Sequence, residues 1–236
     1  MIWAVVIILV VFLILALSIA TYSGAQLKET FEKYNAELCY AKITGGQFAL
    51  MVADKITKNK IKVVRTAGVL TDGYSTRSKA VVISDETCDK ATVAALTIVA
   101  HEFGHAMQDL TNSKKLKLNR TLTKVTKILG YFMIPLALVG LFICLVAPNI
   151  YVVGIILLAL AIVIFLVALL LKFLTIPLER DASRRGMKIL RDLQIMREDE
   201  LKMARELLRA ALLTYIGDFL RAILWWTFLT KKTKMF

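Results

Sequence analysis

The chain holds only two histidines, His101 and His105, and Glu102 directly follows the first, so the segment reads His101-Glu102-Phe103-Gly104-His105. Side chains four apart on an α-helix stand one above the other on the same face. Both imidazoles can therefore reach a single ion at about 2.0–2.1 Å, the usual nitrogen–zinc distance. Glu102 is offset beside that ion, where a carboxylate can take a proton from a water attacking an amide carbonyl and pass it to the leaving amine. The spacing predicts one zinc ion per chain, held by His101 and His105, with Glu102 as the catalytic base. The plainer alternative, two surface histidines beside an ordinary glutamate, sits badly with the apolar sequence around them, because buried imidazoles need partners.

A catalytic zinc normally takes three protein ligands and keeps one position open, and no histidine remains to complete the set. The best carboxylates lie in Leu178-Glu179-Arg180-Asp181-Ala182-Ser183-Arg184-Arg185. Glu179 is the predicted third ligand and Asp181 the reserve; the plain reading of both is charge neutralisation of the neighbouring arginines. Asp109, four residues after His105, and Ser183, four after Glu179, are candidates to orient a ligand from behind. Arg184 and Arg185 could meet a substrate carbonyl or carboxylate, but beside an apolar run they read first as inner-face anchors.

The elements that must carry these residues are largely apolar. Of 236 residues 58% are hydrophobic, and the mean hydropathy is +0.65, which argues against a purely soluble or disordered chain. Uncharged runs at 2–20, 129–147 and 150–171 each approach the ~20 residues a helix needs to cross a bilayer. They predict three spanning helices, the first a retained anchor because it lacks the basic start of a signal peptide. Trp3, Tyr131 and Tyr151, near the starts of the runs, read as interface anchors. A fourth stretch, 210–229, is spanning or interfacial, and Asp218 and Arg221 inside it form a plausible ion pair.

Lys and Arg outnumber Asp and Glu by 31 to 18, and 17 of the cations fall between the first two runs. The positive-inside rule then puts 23–128 and 172–209 in the cytoplasm, the first an α+β portion with the histidine helix, the second a helical portion with the third ligand. This charge points to a lipid bilayer and not to nucleic acid, since no basic stripe with interleaved aromatics is present. Three cysteines, Cys39, Cys88 and Cys144, without a CxxC pair imply neither a disulfide framework nor a thiolate zinc cluster.

Within the first cytoplasmic portion, Phe31, Tyr34, Leu38 and Ala41 recur at near-helical spacing and predict one helix over 24–47. The β-branched stretches 61–65 and 79–84, separated by turn residues, predict a hairpin or small sheet. Strand 79–84 could offer an edge to an extended peptide or else lie in the core. Residues 91–110 predict a buried helix. After the third run, Pro177 marks a kink or helix start, and 178–203 predicts an amphipathic helix.

The chain resembles the neutral zinc metallopeptidases of the YugP-like type, membrane proteins of bacteria. The resemblance rests on Ser23-Gly24-Ala25, on Leu70-Thr71-Asp72-Gly73-Tyr74 with Lys79-Ala80-Val81-Val82-Ile83-Ser84, on Ala100 to Gln108 around the histidines, and on Pro177 to Arg185, in that order. It implies a zinc-dependent endopeptidase in which HExxH is completed by a downstream glutamate, Glu179 here. The expectation is thus a mainly α membrane protein of three or four transmembrane helices with a cytoplasmic α+β zincin-like catalytic portion. It would sit multi-pass in a bacterial inner membrane and cleave protein or peptide substrates at the cytoplasmic face. The competing readings are a zinc hydrolase acting on a lipid or small amide, and a catalytically inactive membrane scaffold.

Overall fold

The computed structural model describes residues 2–225. Among them the order is α1 (Ile2–Asn35), α2 (Gly45–Lys55), β1 (Lys62–Thr66), β2 (Gly73–Ser75), β3 (Ala80–Ser84), α3 (Asp85–Asp89), α4 (Val93–Leu110), α5 (Lys114–Val146), a 3-10 turn (Pro148–Ile150), α6 (Tyr151–Phe173), α7 (Ile176–Asp192) and α8 (Glu198–Trp225). The protein is mainly helical with one small sheet. The chain divides into two compact units, one built on Lys117–Ile176 with the start of α1 and the end of α8, the other on Tyr22–Leu116 and Pro177–Thr214.

Two stretches among the described residues are long and apolar enough to cross a membrane: Leu116–Val146 and Tyr151–Asp192. In the second of these the apolar part is α6, which ends at Phe173. Met133 and Ile134 of α5 pack on Ala161, Phe165 and Ala168 of α6. Two glycines bring the backbones together: a Cβ on Gly140 would stand 2.9 Å from the Gly154 carbonyl oxygen, and one on Gly154 2.7 Å from that of Gly140. The run 2–20 belongs to α1, and the stretch from 210 is helical as far as Trp225. The predicted Asp218–Arg221 pair and the Trp3 anchor fall on side chains outside those described, as do residues 226–229.

The second unit carries the sheet. Its strand order is β1-β3-β2, with β1 parallel to β3 from Lys62↔Ala80 to Thr66↔Ser84 and β2 antiparallel from Gly73↔Val82 to Ser75↔Ala80. Of the alternatives read for these stretches, the small sheet and the core strand hold: 61–65 and 79–84 pair in parallel and form no hairpin, and 79–84 is central and not an edge. The hairpin is β2–β3, and β2 is too short to show alternation in sequence. Ala80, Val81, Ile83 and Ser84 are buried on both faces of β3, which is why it reads as a continuous apolar run.

The single helix expected over 24–47 is corrected, since α1 stops at Asn35 and α2 begins at Gly45. Asn35 turns its amide to Glu86 Oε1 and accepts from Thr92 Oγ1. Thr44 then starts α2 with a reciprocal cap, its hydroxyl accepting from Gln47 N while Gln47 Oε1 accepts from Thr44 N. Leu38, between them, is exposed and bridges to Thr92. Likewise 178–203 is two helices: the chain leaves α7 through Gln194, whose φ is 53°, before α8 begins.

Thr92 caps α4 by accepting from Ala95 N. From there α4 is buried almost all round, with Leu96, Val99 and Phe103 in one core with Phe48, Val81 and Leu190. Its first two turns, 93–100, are apolar on nearly every side, as suits an interior helix, and each large side chain so buried contributes roughly 1.5–3 kcal/mol over its exposed state. The histidines are thus mounted on the most firmly held helix of this unit.

Candidate metal centre

α4 and α7 cross at two glycines. A Cβ on Gly104, between the two histidines, would stand 2.2 Å from the Ala182 carbonyl oxygen, and one on Gly186 2.7 Å from that of Ala100. This close approach sets Glu179, near the start of α7, against the histidine face of α4. One donor atom each from His101, His105 and Glu179 lies within 4.8 Å of the others. Glu179 Oε2 is 3.7 Å from His101 Nε2 and 3.3 Å from His105 Nε2.

The hydrogen bonds behind these atoms orient the imidazoles, and the one at His105 fixes a proton on Nδ1. The Gln108 amide is fully buried and donates from Nε2 to the Leu178 carbonyl and to Asp181 Oδ2, both at 2.9 Å. That leaves Gln108 Oε1 facing His105 Nδ1 at 3.1 Å. An amide oxygen only accepts, so Nδ1 carries a proton and Nε2 is the ring nitrogen that faces Glu179. Ser183 Oγ stands 3.2 Å from His101 Nδ1 and can accept its proton in the same way. Asp181 accepts from Gln108 and from Arg185 Nε at 2.9 Å, so it braces the amide that orients His105. Asp109 accepts from Tyr74 Oη at 2.6 Å and from Lys79, and so ties α4 to β2 and the β2–β3 turn.

Glu179 Oε2 is buried and makes no hydrogen bond. A buried carboxylate oxygen set between two imidazole Nε2 atoms calls for a cation there, a proton or a metal ion, and two nitrogens with one oxygen is a donor set that suits zinc. The residues present therefore fit that ion. Burial opposes charge on both Glu179 and His105, but their mutual proximity outweighs it. The imidazoles hold the Glu179 carboxyl below the ordinary carboxylate range, and Glu179 holds the His105 pKa above the ordinary 6.5. Glu102, in the same turn of α4, is buried, and burial pushes its carboxyl upward; the imidazoles pull it down, while Asp72 and Glu179 add to the rise. A carboxylate moved toward neutrality is a stronger base at working pH.

Residues 7–230 match the family described as "Putative neutral zinc metallopeptidase". The chain belongs to that family. It is also similar to the "Putative membrane protease YugP" of Bacillus subtilis (strain 168), with 27% identity over 209 residues, 86% of this chain and 87% of the relative. No solved structure matches it.

Three residues of this zinc metallopeptidase family member stand at the centre without having been singled out for a role. Gln108 follows His105 by three positions on the same helix face, a spacing that was available as a signal. Gly104 and Gly186 carried none, because a glycine in a helix reveals close approach only when its neighbour across the crossing is known.

Proposed function

We propose that the protein is a membrane-anchored zinc endopeptidase that hydrolyses peptide bonds at the cytoplasmic face of a bacterial inner membrane. The observation that carries this reading is the convergence of His101 Nε2, His105 Nε2 and the buried, unbonded Glu179 Oε2. Zinc held there would supply a Lewis acid for the scissile carbonyl and for water. Glu102 takes the proton of the attacking water on its carboxylate and delivers it to the leaving amine nitrogen. Ser183 and Gln108, behind the Nδ1 atoms of His101 and His105, would turn both Nε2 atoms toward that ion. Membrane anchoring is supported by the two long apolar helices and by the name of the Bacillus relative. The cytoplasmic side follows from the cations between the first two apolar runs.

The test is zinc content and casein cleavage by the detergent-purified full chain, for wild type, Glu102→Gln and Glu179→Ala. About one zinc per chain is expected in wild type and Glu102→Gln, less in Glu179→Ala, with cleavage lost in both variants. Wild type without zinc, or cleavage surviving Glu102→Gln, overturns the reading. Zinc-loaded wild type that leaves proteins intact but splits a small amide or lipid ester favours a different hydrolase.

A further inference from the structure

Within the second unit, α7 and α8 enclose a groove of about 730 Å³. Arg180, Arg184, Lys188 and Arg191 line it from one face of α7, at helical spacings of four, four and three, and Arg205 and Arg209 line it from α8. All six are exposed and no carboxylate lines the groove. Among the described residues none of the six is in an ion pair, whereas the adjacent Arg185 is paired with Asp181. Six like charges around one concavity repel one another and raise the local concentration of anions.

Two further features narrow the anion. Leu208 and Leu212, one turn apart on α8, add apolar surface to the same groove. Both walls are also tethered by the chain to apolar segments. α7 begins three residues after α6 ends at Phe173, and α8 runs on into the stretch from 210. Arg180 is seven residues past Phe173 in the chain. A free acidic peptide or a nucleic acid would answer the charge but neither the apolar lining nor the tether, and no aromatic side chain is present for bases to stack on.

The geometry points to a binding site for an anionic phospholipid, its phosphodiester headgroup held among Arg180, Arg184, Arg205 and Arg209 and its glycerol and upper acyl carbons against Leu208 and Leu212. Basic pockets beside spanning helices take such headgroups. The groove borders the metal centre at Ser183, which also faces His101 Nδ1, but the cations that line it are not among the metal-facing residues. The assignment rests only on membrane anchoring, so its test reads lipid binding and not proteolysis.

Full-length protein in a neutral detergent is titrated with short-chain phosphatidylglycerol or phosphatidylcholine, and native mass spectrometry counts the bound lipid. Saturable binding of phosphatidylglycerol in preference to phosphatidylcholine is expected. Arg184→Ala with Arg205→Ala should weaken it about thirtyfold, from roughly fivefold per cation. Lys58→Ala with Lys60→Ala, outside the groove, should leave it unchanged. If the first pair lowers the melting temperature, Lys188→Ala with Arg209→Ala takes its place. Glycerol 3-phosphate and a polyglutamate peptide serve as competitors that carry charge without acyl chains, and weak competition is expected. Equal binding of the two lipids, or phosphatidylglycerol binding that survives both double substitutions, overturns the assignment. Displacement of the lipid by glycerol 3-phosphate at equal concentration, or by polyglutamate at lower concentration, overturns it too, in favour of a simple anion site or an acidic polypeptide.

Discussion

α4 meets α7 at Gly104 and Gly186, and α5 meets α6 at Gly140 and Gly154; in each pair a Cβ would run into backbone oxygen at less than a normal contact. What surrounds the two crossings differs. Beside Gly104 the side chains of Ala100, Phe103 and Ala106 are buried, and polar atoms find partners across the crossing. Beside Gly140 and Gly154, Phe142 is 64% and Ile156 60% exposed. Around α4, hydrophobic burial already holds the helices, so the glycines serve a distance: they let an imidazole pair reach a carboxylate on another helix. Around α5 and α6 the apolar groups face outward, and close packing of small residues is itself the cohesive interaction expected in lipid.

The sharpest way to break this contrast is Gly104→Ala. The new methyl meets the backbone of Ala182, which cannot rotate away, so the loss should be about 3 kcal/mol, well over the ~1 kcal/mol gained in helix propensity. Melting in detergent should show it, with zinc affinity falling at the same time. Gly140→Ala should also lower the melting temperature while leaving zinc affinity unchanged, and equal loss of zinc in both variants would sink the comparison. Next in size, Gln108→Ala should weaken zinc binding about tenfold to a hundredfold by freeing His105 to turn or change tautomer, as read by competition with a chelator.

Acidification tests the electrostatics of the same crossing. Because Glu179 raises the His105 pKa above 6.5, the zinc-free centre holds a proton near pH 7 that a zinc ligand cannot keep. Zinc binding should therefore release protons at pH 7, and affinity should fall as pH drops, by up to about tenfold per unit for one proton. Calorimetry in buffers of different ionisation enthalpy measures that release, and a null result there would remove the proton from the centre. The smallest effect is expected for Ser183→Ala, which removes one neutral hydrogen bond to His101 and should cost up to about tenfold in zinc affinity.

Some of the fold could be read directly. The buried helix expected over 91–110 is α4, Val93–Leu110, because the apolar residues of its first two turns leave no polar side there. The apolar hairpin around Pro148 was likewise marked by length and lack of charge. Reading failed where a partner far along the chain decided the outcome. The break at 36–44 depends on Asn35 meeting Glu86 and Thr92. The central place of β3 depends on β1 joining it in parallel, and neither contact leaves a local pattern.

By itself the sequence determined the donor types and half of their geometry, since the two imidazoles of His101-Glu102-Phe103-Gly104-His105 need only the helical repeat to share a face. It also marked Glu179 as a carboxylate just past an apolar run. Only the tertiary structure decided that Glu179 Oε2 reaches both imidazoles while Asp181 turns to Gln108 and Arg185. Helical spacing is a property of neighbouring residues, whereas the approach of α4 to α7 depends on two glycines 82 positions apart that let the backbones close on each other.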